Sequence, residues 1–119
     1  MAYGRKISGG RYHKQRKSKK YELHNQERHV ILGETKSKQL RVRSGTMKTI
    51  LLKANTANVK VKGKIQPASI TNVEATPANA FFARSNRLMK GAIIATSVGK
   101  ARITNRPSQE GQINAVLIE

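Results

Sequence analysis

Cysteine and aspartate are absent from this chain of 119 residues, and it holds only six acidic residues, all glutamate, and five aromatic ones. The first absence removes disulfide frameworks, zinc fingers and thiol catalysis. Six carboxylates supply little of the paired-acid chemistry on which many hydrolases and metal centres are built. No apolar run exceeds four residues, against the roughly 18–20 that a membrane-spanning helix requires. No apolar stretch follows the first positive charges, so no secretory signal peptide is expected. The expectation is a soluble, intracellular chain of one domain, since domains commonly hold about 100–200 residues. Its core must be small, because 37% of residues are apolar.

Positive charge is what the chain has in excess. Twenty-four Lys and Arg give a formal net charge of +18. A compact domain so charged repels itself, which points to a polyanion as its usual surroundings. Nucleic acid fits, because Lys and Arg placed on phosphates release condensed counterions. Proteins of anionic membrane surfaces usually carry an amphipathic helix with aromatic anchors, and none is evident.

Composition shifts near residue 44. Residues 1–43 hold 13 Lys and Arg and 12 apolar residues, whereas residues 44–119 hold 11 and 32. The first twenty residues carry eight positive charges and no negative one. Alone, such a segment is expected to be disordered, because its burial cannot offset an ordering cost of roughly 1–2 kcal/mol per residue. Residues 1–43 therefore read as a basic N-terminal extension, which either orders along phosphates or serves only solubility. Residues 44–119 read as β structure.

Val59 to Ile65 alternates apolar and basic residues strictly, the period of a strand with one wet face. Its lysines either protect an edge or face phosphates. Thr46–Ala54 and Ile65–Thr76 are further strand candidates, with Pro67 restricted to an edge or bulge. Ala92–Val98 and Lys100–Arg106 flank Gly99 as a hairpin. Gln112–Ile118 reads as a last strand buried on both faces. One short helix is expected after Pro77, capped by Thr76 and ended before Gly91. Ala78, Phe81, Phe82, Ser85 and Met89 would form its core-facing stripe. Phe81, Phe82, Ile93, Ile94, Ile103, Val116 and Ile118 are the expected core; the adjacent phenylalanines also admit a base-stacking reading, but helical spacing and aliphatic surroundings favour at least one of them in the core. The fold class is thus mainly β, a compact antiparallel β-barrel with one short helix and a long basic N-terminal extension.

No active site assembles from these residues. His13, His24 and His29 lie among cations, which repel a metal ion, and read as polar groups facing nucleic acid. Glu22 and Glu27 read as ion-pair partners. Phosphate-binding loops, dinucleotide fingerprints and nucleophile elbows are missing.

Longer stretches carry a resemblance. Residues 4–12 (Gly-Arg-Lys-Ile-Ser-Gly-Gly-Arg-Tyr), the run Lys19-Lys20-Tyr21-Glu22-Leu23, residues 54–59, Pro77-Ala78-Asn79, and above all residues 90–94 and 104–115 resemble one family in order. It is the small-subunit ribosomal protein eight family of the archaeal and eukaryotic type, unrelated to the bacterial protein of the same number. The short length is similar to archaeal members. The chain departs from the family pattern in three places. Thr76 stands where Asn usually precedes Pro-Ala-Asn. Ser108 stands where Gly usually follows Arg-Pro, and Ser44-Gly45-Thr46 replaces a Gly-Gly-Asn turn. Ser108 would be strained if that position required φ > 0, and Thr46 lacks an amide that could touch RNA.

The resemblance implies a non-enzymatic structural component that binds small-subunit rRNA beside neighbouring ribosomal proteins, with no cofactor, metal or small-molecule substrate. On that reading Arg5, Lys6, Arg11, Lys14, Arg16, Lys17, Lys19 and Lys20 lie on phosphates. Tyr3, Tyr12 and Tyr21 stack on bases or pack on sugars and protein, and Tyr12 is counted with the binding residues. On the barrel, Arg84, Arg87 and Lys90 form a patch from the helix, and Arg106 with Gln109 a second in a loop stiffened by Pro107. Arg41, Arg43 and Lys48 form a third around the Gly45 turn. A general nucleic-acid condenser or RNA chaperone is the alternative; an RNA-modifying enzyme would need a catalytic residue, and none stands out.

Overall fold

The computed structural model describes residues 4–118. From residue 31 onward, runs of β-branched and aliphatic residues form eight strands. These are β1 (Ile31–Leu32), β2 (Lys36–Arg41), β3 (Met47–Ala54), β4 (Thr56–Val61), β5 (Lys64–Ala75), β6 (Ile93–Thr96), β7 (Gly99–Ile103) and β8 (Asn114–Leu117). One helix, α1 (Ala80–Arg84), interrupts them, and a 3-10 turn over Arg43–Gly45 joins β2 to β3.

Strands β4 to β8 close into a barrel in sequence order. The barrel is not wholly antiparallel as expected, because β8 pairs with β4 in parallel, Val59 opposite Ala115. Strand number dictates this. Five strands that each reverse on the one before leave the first and last running the same way. Closure therefore requires one parallel seam, and it removes the barrel's open edges. So few strands enclose a narrow lumen, which is filled by pairing large residues with alanine. Ile94 lies opposite Ala101, and Val59 and Ile103 both lie opposite Ala115; all are buried.

A second, three-stranded sheet with order β1-β3-β2 stands beside the barrel. It was not expected, and it crosses the division at residues 43 and 44: β1 and β2 lie in the basic N-terminal part and pair with β3. Lys36, Lys38 and Arg41 lower the apolar fraction of β2 because β2 is a sheet edge, where charge is protective. The sheet joins the barrel region through a seam. Val30 O accepts from Leu88 N at 2.8 Å, Leu32 N donates to Asn86 O at 3.0 Å, and Ile31 bridges Arg87. Val30 and Leu88 are each 2% exposed.

Several expected elements move. The alternating run Val59–Ile65 is a hairpin and not one strand. Val61 pairs with Lys64, and Lys62 (φ 45°) and Gly63 (φ 85°) form the two-residue turn, the double positive φ that matches strand twist. Pro67 does sit where β5 is paired on one side only, opposite Asn58. The β6–β7 hairpin is present, but its turn is Ser97–Val98 and Gly99 opens β7. Strand β8 buries one face: Ala115 is buried while Val116 is 42% exposed.

The helix is a single turn of five residues, capped by Asn79, whose Oδ1 accepts from Phe81 N at 3.0 Å. Thr76 is not the cap; it is buried, and its hydroxyl has no partner among the described residues. The helix ends at Ser85, followed by Asn86 in the left-handed region (φ 52°), well before Gly91. One turn cannot carry the expected stripe. Phe81 is 70% exposed, Phe82 and Ile93 are half-buried, and Ile118 is at the surface with Val116. Ile94 and Ile103 are core as expected, joined by Val30, Leu51, Leu88 and Ile113.

Candidate nucleic-acid interface

Residues 4–29 carry no strand or helix, and every one is exposed. Two local turns organise them. Glycine at Gly9 (φ 78°) folds residues 5–11 back, with Gly9 N on Lys6 O and Lys6 N on Gly10 O, both at 2.9 Å. This turn brings Arg5 and Arg11 into a cross-strand bridge. Like charges placed opposite one another are unfavourable without an anion between them. The Arg5 guanidinium donates to Gly9 O at 3.0 Å. The second turn spans residues 16–22. Arg16 makes a forked ion pair with Glu22, at 2.9 and 2.5 Å, and Lys19 N donates to the same carboxylate at 2.9 Å. The Arg16 guanidinium, with the Lys19 N–H, holds the Glu22 carboxyl below the usual carboxylate range, and Glu22 in turn raises Arg16. Glu22 is thus an ion-pair partner, and Glu27 lies 3.3 Å from His29 Nε2.

Lys6 lies over the Tyr12 ring at 5.7 Å, and Lys19 over Tyr21 at 6.0 Å. Both tyrosines are exposed, so each presents the other face of its ring outward beside a cation. Tyr3 falls outside the described residues. Lys14, Lys17 and Lys20 are exposed alongside.

On the folded part, two of the expected clusters meet. Arg41 and Arg43 are exposed at the β2–β3 turn, and Lys48 Nζ donates to Gln109 Oε1 across 61 positions of sequence. That bond docks the Arg106–Gln109 loop on β3, whereas Arg41, paired with Met47, lies on the face of the hairpin opposite Lys48, which is paired with Leu40. The loop is rigid for local reasons. Pro107 is buried and its carbonyl accepts from Leu51 N at 3.3 Å. Asn105, which sequence reasoning missed, ties both ends: its amide donates to Gln112 O (2.7 Å) and Glu110 (2.9 Å), and its oxygen accepts from Asn114 N (3.0 Å). An asparagine preceding Arg-Pro is the only local signal for it. Arg106 is thereby held outward on a fixed support.

Arg84, Arg87 and Lys90 do not form one helical face. Arg84 ends α1, whereas Arg87 belongs to the seam, half-buried against the Phe82 ring at 4.6 Å and within 3.3 Å of His29 Nδ1. A further outward row, Lys60–Val116–Arg102, crosses β4, β8 and β7; alternation along β4 is its signal. Among the described residues, Arg16 and Lys100 pair with glutamates, the latter with Glu74 at 2.9 Å. The other lysines and arginines face solvent or neutral groups.

Residues 2–118 match the family model of ribosomal protein S8e. The chain belongs to that family. It is 45% identical over 117 residues to small ribosomal subunit protein eS8 of Methanocorpusculum labreanum, covering 97% of this chain and 94% of the relative. The protein of the same name from Pyrobaculum aerophilum is also 45% identical, over 97% and 91% of the two chains. That of Haloarcula marismortui is 41% identical, over 97% and 94%. S8e proteins are ribosomal proteins and not enzymes.

The departures from the S8e pattern now have addresses. Ser108 does not occupy a positive-φ position, so serine is unstrained there. Ser44 does, at φ 66°, where the family turn has glycine. Thr46 is extended and exposed.

Proposed function

We propose that this chain is a structural component of the small ribosomal subunit in the cytoplasm, where it holds small-subunit rRNA beside neighbouring ribosomal proteins. What carries the reading is the match of almost the entire chain to relatives named as small-subunit proteins, on a molecule with 24 cations and six carboxylates. The basic arm ends before Val30, whose burial fixes its root. Its extent is consistent with an arm that reaches away from the barrel. The molecule measures 73 × 36 × 22 Å with a radius of gyration of 20.9 Å, against about 13–14 Å for a compact chain of this length.

Arg5, Lys6, Arg11, Lys14, Lys17, Lys19 and Lys20 sit on phosphates in this reading. Arg16 shares its charge with Glu22 and contributes less. Tyr12 and Tyr21, each already backed by a lysine, offer a free ring face. Lys48, Arg106 and Gln109 make a second contact, built on a rigid loop and so able to orient the barrel on folded RNA, with Arg41 and Arg43 exposed at the neighbouring turn. Arg84 and Lys90, both exposed, are separate further contacts, whereas Arg87 is held against Phe82 and contributes less. Neutralised phosphates release counterions, so affinity falls steeply with salt.

Co-sedimentation tests the reading. The protein is expected to travel with small subunits through a high-salt wash, because many contacts close around it during assembly. Release into the soluble pool at that step would favour a general nucleic-acid condenser instead.

A further inference from the structure

Both phenylalanines of the chain lie outside the core, which among the described residues holds no aromatic side chain. Each carries an arginine on its ring: Arg84 stands 5.7 Å from the centre of Phe81, and Arg87 4.6 Å from that of Phe82. Their exposures differ. Phe82 is half-buried between Arg87 and His29, whose ring is tilted at 6.4 Å. Phe81 is 70% exposed on a one-turn helix fixed by its Asn79 cap. The cap therefore holds the Phe81 ring outward on a fixed turn, with a guanidinium against it, where a flat partner can reach it.

We propose that Phe81, with Arg84 beside it, is a stacking platform for one unpaired RNA base. This rests on the reading of the chain as an rRNA-binding protein and names a contact within it. Charge selects the occupant. The surroundings of Phe81 are cationic: Arg84 on its ring, Arg87 one residue away on Phe82, and Lys90 exposed beyond the seam. Glu74, which lies beside Arg84 across a shallow cleft, is engaged by Lys100. An apolar protein surface closing on Phe81 would desolvate these cations without compensation. An unpaired nucleotide presents a flat π-face to the ring and a phosphate to the guanidinium together, the combination that single-stranded binding sites use.

The test is binding of the full-length protein to bare small-subunit rRNA at fixed salt, comparing wild type with Phe81→Ala, Phe81→Leu and Phe81→Trp, each checked for fold by circular dichroism. Ala and Leu are expected to weaken binding by roughly 5- to 150-fold, the range one base–aromatic stack carries, and Trp to restore it. None should change the dependence on salt, since the ring bears no charge, whereas Arg84→Gln should lower that slope by about one. Wild-type binding by Phe81→Leu would overturn the platform. So would a loss seen only in particles reconstituted with neighbouring proteins while bare-RNA binding is unchanged, since the ring would then meet protein. Failure of the wild type to bind rRNA at all would instead sink the functional reading, and the platform with it.

Discussion

Ser44 holds a backbone conformation that glycine adopts without cost, at φ 66° next to Gly45 at φ 76°. A side chain in this region costs about 1–2 kcal/mol from contact with the following carbonyl, partly offset by the greater freedom glycine loses on folding. Ser44→Gly is therefore expected to stabilise the fold by about 0.5–1 kcal/mol, read as a higher urea midpoint at an unchanged slope. Residue-scale detail of this kind was the least legible in the sequence. Phe81 and Phe82 look like core because they are apolar and helically spaced; their exposure follows from a helix too short to present a stripe. Thr76 and Asn79 are both competent caps, and only the path of the chain after β5 decides between them. Lys48 and Gln109 could not be brought together from sequence, since 61 positions separate them.

Elements were read better, where period and turn chemistry agree. Strands β3, β5 and the β6–β7 hairpin follow the expected segments closely, whereas β1 and β2 were hidden by their charge and the Lys62–Gly63 turn by an alternation that runs straight through it. Two predictions belong to this scale. The barrel lumen is filled by alanines opposite larger residues, so Ala101→Leu, directly across from Ile94, should overpack it and cost about 1–3 kcal/mol in thermal or urea unfolding. The turn at residues 16–22 depends on ionised Glu22. Because the folded state lowers the Glu22 pKa, the pairing with Arg16 is complete at neutral pH and is lost as pH falls through that lowered value. Amide NMR signals of Lys19 and Glu22 should shift together on acidification below the usual carboxylate range, while buried barrel amides such as Ile94 stay in place.

At the scale of the whole molecule, charge was the most legible property, because +18 is a sum that no detail of folding alters. Deleting residues 1–20 should leave the melting transition of the barrel unchanged, since the described contacts of that segment are local, yet abolish incorporation into small subunits. A barrel that failed to fold without them would show that the segment is part of the core structure. The seam at residues 30–32 sets a geometric limit on everything upstream. It is a fixed mooring: backbone hydrogen bonds tie Val30 and Leu32 to Leu88 and Asn86. The 26 residues from Gly4 to His29 pay out from it like a line of known length, at most about 85–95 Å when fully drawn. Every contact those residues make must lie inside that radius.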